Sequence, residues 1–312
     1  MSQLAGSADP TTLAGRAAIV TGAGAGLGRA EALALAALGA RVVVNDLGAA
    51  ADDVVAEIEA AGGEALAVTG DVGDWTLGER LVQTAVEHFG SLDIVVNNAG
   101  MTRDAMLFNL SETQWDDVIR VHLKGHAAVS RAASVHWRAA SKAAGGPVYG
   151  RVVNTSSEAF LFGGAGQPNY AAAKAGIVAL TLSTARGMAK YGVKVNAICP
   201  RARTAMTNDV FGAAPDAADT LDALAPERVA EFVAFLAGPG AHDITGQVFV
   251  VYGGMVALLA PATVEHTFQA ADGTFSAAEF ADQLPAYFAG RDPNRNFEAR
   301  SIGELGAAAG VS

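Results

Sequence analysis

Tyr170 and Lys174 stand four positions apart in the run NYAAAKAG, whose other members are mostly alanine and glycine. An alanine-rich stretch with no proline favours helix, and positions i and i+4 share a helical face, so the phenol and the ammonium project side by side. A phenol titrates near pH 10 and holds its proton at neutral pH unless a neighbouring cation stabilises the phenolate. Lowering it by about three units corresponds to about 4 kcal/mol of differential stabilisation, within reach of one close ammonium in a partly dry site. The same spacing also arises by chance on solvated helices, so the rest of the chain decides between a proton-exchanging unit and an incidental pair.

A second constellation has the chemistry of phosphate recognition. IVTGAGAGLGRA sets Gly22, Gly26 and Gly28 between a strand and a helix, where missing side chains let a pyrophosphate approach backbone N–H groups at the helix N-terminus. The next strand ends in Asp46, a carboxylate suited to the adenine ribose hydroxyls and repelling a 2'-phosphate. No Arg or Lys follows it immediately, which favours NAD over NADP. TGDV and NNAG end two further strands, placing Asp71, Val72, Asn98 and Gly100 along the same carboxyl edge, where such sheets bind ligands. Taken singly, each could be an ordinary turn.

The elements that must position these groups follow from the alternation of short apolar runs with helical stretches: AAIVTG, RAEALALAALGA, RVVVNDL, ADDVVAEIEAAG, EALAVTGDV, TLGERLVQTAVEHFG and LDIVVNNAG. Strands without polar alternation, joined by helices, specify a parallel sheet covered on both faces. The pattern continues through a long helix over about 111–140, the strand GRVVNTSS, the Tyr-Lys helix, the strand VKVNAICP, a helix near 226–237 and the strand QVFVVYGG. The expected fold is α/β, a Rossmann-type doubly wound parallel sheet of seven strands. Residues 1–257 form the catalytic domain, and 258–312 form a C-terminal extension with one helix over 276–289 that serves the substrate site or a subunit interface.

Composition narrows the function classes. A net charge of −11 argues against a nucleic-acid surface, and no run of eighteen uncharged apolar residues exists to span a membrane. The opening MSQLAGSADPTTLAG lacks a basic start and an apolar block, which points to a cytoplasmic protein. Cys199 is the lone cysteine and no Cys, His and carboxylate cluster has metal-ligand spacing, so neither disulfide nor metal is expected.

From about residue 15 to 257 the chain resembles the short-chain dehydrogenase/reductase family. The glycine motif at 21–28, NNAG, a serine thirteen positions before the tyrosine and Tyr-x-x-x-Lys together carry the resemblance. It implies Tyr170 as general acid/base on the substrate oxygen, Lys174 holding the nicotinamide ribose and depressing the tyrosine's pKa, and Ser157 polarising the same oxygen, with Ser156 structural. It implies cofactor contacts from Gly22, Gly26, Leu27, Gly28, Asp46, Asp71, Val72, Asn98, Ala99, Gly100, Tyr170, Lys174, Pro200 and Thr204. Two positions depart from the family pattern: His122 in VIRVHLKGH replaces the usual asparagine, either as a proton-relay residue or as packing, and Arg201 follows Pro200 where glycine is usual. VVVNDLG, VHLKGH, GQPNYAAAKAG and the tail resemble one branch, the (3R)-hydroxyacyl-CoA dehydrogenase domain of peroxisomal multifunctional enzyme type 2 (17β-hydroxysteroid dehydrogenase type 4) and bacterial single-domain relatives. That branch implies NAD-dependent oxidation of a (3R)-3-hydroxyacyl-CoA, with a fatty-acyl or steroid side chain, in a homodimer or homotetramer packed through the 111–140 and Tyr-Lys helices. The alternatives are a 17β-hydroxysteroid dehydrogenase acting on a free steroid alcohol and a non-catalytic NAD-binding assembly subunit. Arg103, Arg201, Arg203, Arg291 and Arg295 are the candidate cations for CoA phosphates, and Phe160 and Phe162 the candidate acyl wall.

Overall fold

The computed structural model describes residues 9–207, 222–270 and 273–291. Two compact units divide at Leu258 and Leu259. The first alternates strand and helix: β1 (Ala17–Thr21), α1 (Gly26–Ala37), β2 (Arg41–Asp46), α2 (Ala50–Ala60), β3 (Glu64–Thr69), α3 (Leu77–Phe89) and β4 (Ile94–Asn97). There follow α4 (Glu112–Ile119), a π-helical turn (Arg120–Lys124), α5 (Gly125–Ala144), β5 (Gly150–Thr155), the short α6 (Ala159–Phe162), α7 (Pro168–Met188) and β6 (Val193–Pro200). α8 (Pro226–Ala237), β7 (Val248–Tyr252) and β8 (Met255–Leu258) complete the unit.

The strands run in the order β3-β2-β1-β4-β5-β6-β7-β8. Every pairing is parallel except that of β7 with β8. The sheet therefore has eight strands rather than the seven expected. The extra strand is a hairpin arm: Gly253, at φ +53°, opens a two-residue turn and sends Met255–Leu258 back along β7. Side-chain alternation splits the apolar strand residues between two cores, one for each face of the sheet. Val20, Val42, Val44, Val96 and Val153 join the core beneath α1, α2 and α8, with Leu35, Ile58 and Val233. Their neighbours Ile19, Val43, Val95 and Val152 join the opposite core, with Leu81, Phe89, Val129 and Trp137. Both faces being apolar is why these strands read as unbroken hydrophobic runs.

The helix expected over 111–140 is interrupted. α4 opens on a capping box between Ser111 and Gln114, and the chain widens into the π-helical turn before resuming as α5. The order of strands reverses between β1 and β4, so their carboxyl ends open a crevice there. At that point Gly28 packs against the β1–α1 turn, and a Cβ on it would lie 2.3 Å from the Gly22 carbonyl oxygen and 2.5 Å from Asn98 Nδ2. The second unit holds α9 (Ala277–Phe288), opened by a capping box between Ser276 and Glu279. His266 stacks on Tyr287, Phe268 meets Tyr287 edge-on, and Arg291 pairs with Glu265.

Because the Gly28 contacts are backbone and a held amide rather than a flexible side-chain tip, Gly28→Ala is expected to cost ~1–3 kcal/mol, as overpacking does. Urea unfolding of the two proteins measures it; an unchanged midpoint would contradict the close approach.

Candidate active site

The carboxyl ends of β1, β2, β4, β5 and β6 border one cleft of about 580 Å³. Gly22, Gly26, Leu27, Asp46, Asp71, Val72, Asn98, Ala99, Gly100, His122, Ser157, Tyr170, Lys174, Pro200 and Thr204 all line it. These residues are thus brought to one place from positions as distant as 22 and 204, while Gly28, packed behind the turn, does not line the cleft.

At one end α1 begins from Ala25 with neither a side-chain cap nor an acid in its first turn, unlike the capped α4 and α9. Gly22 adopts φ +61°, and a Cβ there would lie 2.7 Å from Ala99 Cα. Backbone N–H groups therefore face the cleft without competing side chains, the chemistry a pyrophosphate requires. Asp46 is held at the edge of this cradle, accepting from the Gly24 N–H at 2.8 Å and the Leu47 N–H at 2.7 Å. Asn98 lines the cleft while its side-chain amide donates to the carbonyls of Thr21 and Gly22, both at 3.1 Å, so it holds the turn in shape. Asp71 pairs with Arg120 of the π-helical turn at 2.5 Å. The residues present fit a nicotinamide dinucleotide: Gly22, Gly26 and Leu27 would hold its phosphates and Asp46 its ribose.

At the other end Lys174 is 2% exposed, and its Nζ donates to the Thr155 carbonyl at 2.7 Å. Tyr170 lies on the same face of α7, its ring centroid 5.3 Å from that Nζ. The electrostatics differ from the sequence expectation of a depressed phenol. Burial pushes Tyr170 up to about 12, against a lowering contribution from the Ser157 hydroxyl, and burial brings Lys174 down to about 7. Sealing both groups from water penalises phenolate and ammonium alike. His122 is buried edge-on against Tyr170, with ring centroids 5.2 Å apart. Its Nε2 lies 2.7 Å from the Met101 carbonyl, and burial followed by the nearby Lys174 charge keeps its pKa well below the usual value. The imidazole is neutral at neutral pH, and its Nε2 meets both the Met101 N–H at 3.0 Å and the Met101 carbonyl at 2.7 Å, contacts that suit either tautomer.

Several supporting residues escaped the sequence reading. Asn169 is buried, donates to the carbonyls of Arg103 at 3.1 Å and Gln114 at 3.0 Å, and accepts from the Tyr170 N–H at 2.8 Å. His126 sits one helical turn beyond His122, a spacing that was available as a signal. Burial, then the Lys174 charge, takes its pKa to about 3. The Thr155 contribution is a backbone carbonyl, which residue type does not disclose. Of the arginines considered for CoA, Arg103 lines the cleft. Arg201 and Arg203 turn away from it onto Glu158 and Asp222, Arg291 lies in the second unit paired with Glu265, and Arg295 falls outside the described residues. Phe160 and Phe162 are not among the residues lining the cleft.

A glycine-lined cradle, a strand-end aspartate and a Ser-Tyr-Lys set at one carboxyl edge define a nicotinamide-dependent dehydrogenase of the short-chain type. The short chain dehydrogenase family profile matches residues 16–213, and the chain belongs to that family. It is 56% identical over 300 residues to the hydroxyacyl-CoA dehydrogenase ChsB1 of Mycobacterium tuberculosis, covering 94% of each chain. Peroxisomal multifunctional enzyme type 2 of Mus musculus is 42% identical over 262 residues, 81% of this chain and 34% of that one. A short chain dehydrogenase from Mycobacterium avium superposes with TM-score 0.81 at 48% identity, covering 90% of this chain and 97% of that one.

The buried lysine sets a pH dependence of stability. With a folded pKa of about 7 against an ordinary 10.5, Lys174 binds fewer protons folded than unfolded between those values. Its contribution to stability is full at high pH and is lost as pH falls through that window. Tyr170 acts in the opposite sense above pH 10 and is common to both proteins under comparison. Lys174→Met is therefore expected to melt above the wild type near neutral pH, by the equivalent of roughly 2–4 kcal/mol, and to lose most of that advantage approaching pH ~10. Melting temperature against pH checks it; a pH-independent difference would contradict it.

Proposed function

We propose that the chain oxidises a (3R)-3-hydroxyacyl-CoA to the 3-oxoacyl-CoA with NAD, on a fatty-acyl or steroid side chain. The observation that supports it most is the convergence of Ser157, Tyr170, Lys174 and His122 on the cleft that holds the dinucleotide cradle, in a chain 56% identical along its length to a hydroxyacyl-CoA dehydrogenase. NAD rather than NADP follows from Asp46: its carboxylate is fixed at the ribose end beside Leu47, and the cations lining the cleft are Arg103, Arg120 and Lys174, of which Arg120 is spent on Asp71. A 2'-phosphate there would meet a negative charge.

Bound there, the nicotinamide supplies the hydride acceptor. Tyr170 takes the hydroxyl proton, and Ser157 donates to the same oxygen as it becomes a carbonyl. Lys174 holds the nicotinamide ribose. His122, neutral and pressed edge-on against Tyr170, shapes the pocket and takes part in proton relay. We assign residues 1–257 as the catalytic domain, since every residue lining the cleft lies within it, and 258–312 as an extension for substrate or subunit contacts. We also propose a homodimer or homotetramer. Val135 of α5 is 57% exposed and α7 presents Ala172, Ala175 and Ala179, small residues that permit close helix approach.

Initial rates with NAD and with NADP on short, long and steroid-bearing 3-hydroxyacyl-CoA, beside the free steroid alcohol, test the reading. NAD and a CoA thioester are expected to win; faster turnover of the free steroid or a preference for NADP would overturn the corresponding assignment. Tyr170→Phe should lower kcat by about 10²–10⁴-fold, the worth of positioned proton transfer, with dinucleotide affinity within about threefold. Retention of turnover in that variant would assign the chemistry elsewhere.

A further inference from the structure

Glu158 and Arg201 form an ion pair of two parallel hydrogen bonds, Nε to Oε2 at 2.6 Å and Nη2 to Oε1 at 2.7 Å. The side chains are 8% and 19% exposed. Neither residue lines the cleft, yet their chain neighbours do: Ser157 immediately before Glu158, and Pro200 and Ala202 on either side of Arg201. The pair lies behind two walls whose front faces form the site.

Its place relative to Ser157 is specific. On the near side of the serine, Ser156 is fixed to the sheet and to α7: its N–H donates to the Ile198 carbonyl at 2.7 Å and its hydroxyl to the Lys174 carbonyl at 2.9 Å. On the far side, Ser157 accepts within its own turn, from the Ala159 N–H at its Oγ at 3.2 Å and from the Phe160 N–H at its carbonyl at 3.3 Å, while its hydroxyl reaches Tyr170. The residue that follows, Glu158, ties that turn to Arg201 through its side chain. Arg201 is rooted in the sheet in turn, its N–H donating to the Val251 carbonyl at 2.9 Å and its guanidinium 5.5 Å from the Tyr252 ring centroid. A bidentate pair fixes orientation as well as distance, which a single hydrogen bond or a lysine does not.

We propose that Glu158 and Arg201 are positioning residues for Ser157, a clamp from outside the cleft that holds the serine hydroxyl against Tyr170. The inference rests on the roles given to Ser157 and Tyr170 above. It accounts for an arginine where the family usually has glycine, without making that arginine a substrate contact.

A double-mutant cycle tests it, on the alcohol that the wild-type chain turns over best. Glu158→Gln alone should lower kcat about tenfold, with the dinucleotide Kd, read by cofactor fluorescence, within about twofold. Added to Ser157→Ala, Glu158→Gln should cost almost nothing further, because the group it positions is gone. The tyrosine faces Lys174 on α7, His122 on the π-helical turn, Cys199 on β6 and Asp104 after β4, all retained in the variant. Loss of the serine contact should therefore raise the apparent pKa of the base in the kcat/KM profile, since the Ser157 hydroxyl lowers it. Arg201→Lys, which keeps the charge and loses the fork, repeats the cycle should Glu158→Gln fail to fold. A full tenfold loss on top of Ser157→Ala, or a Kd that weakens in step with kcat, would overturn the clamp. Normal turnover by Ser157→Ala would instead overturn the role given to the serine.

Discussion

An amine sealed from water is the constraint around which this molecule is arranged. Lys174 ends against the Thr155 carbonyl, at the point where β5 stops pairing and its backbone acceptors are freed. That position needs a parallel sheet whose carboxyl ends are not covered, and a helix, α7, crossing it at the right depth. Burial of the amine opposes folding at neutral pH, which is why its pKa falls to about 7. Two apolar cores, one on each face of the sheet, offset that cost and keep the strand ends in register around it.

A buried network of uncharged polar side chains links the strands and helix that carry the site. Asn97 donates to Ser130 Oγ at 3.0 Å and to Asn154 Oδ1 at 2.9 Å, and Asn154 donates to Thr181 Oγ1 at 2.9 Å, all four residues being buried. This chain crosses from β4 through β5 to α7 and ties together the elements that bear the site. The two histidines of the π-helical turn and α5 stay neutral for the same reason that the lysine is depressed: burial disfavours every charged form, and the ammonium nearby disfavours another cation. The end of the cleft at Tyr170 and Lys174 therefore presents fixed dipoles and one titratable cation, an environment in which a proton can be moved without rearranging solvent.

What was legible in the sequence was what periodicity encodes. Tyr170 and Lys174 share a face because 3.6 residues make a turn, and Gly22, Gly26 and Gly28 stand where a strand hands over to a helix, so both groups could be read before any fold was seen. β8 was not legible, since Met255–Leu258 is four residues long with alternating exposure, and its partner's end at Gly253 reads equally as the end of a domain. The π-helical turn was hidden as well, because VIRVHLKGH has no proline to mark a break, and one wider turn leaves the hydrophobic pattern nearly unchanged. The titration of Tyr170 is not legible from the spacing of the pair, because the depth at which both groups lie is a property of the folded sheet.

The arginines of CPRART show why residue type by itself pointed the wrong way. Two cations beside a candidate substrate site suggest phosphate binding, but the chain leaves β6 nearly extended, and an extended chain sends neighbours to opposite sides. Pro200, Ala202 and Thr204 take the cleft side; Arg201 and Arg203 take the other, where Glu158 and Asp222 meet them. The alternation that parts Ile19 from Val20 between two cores thus continues beyond the last residue of the strand and parts apolar contact from ion pair. A wall built this way presents small side chains to the cleft and ion pairs behind it.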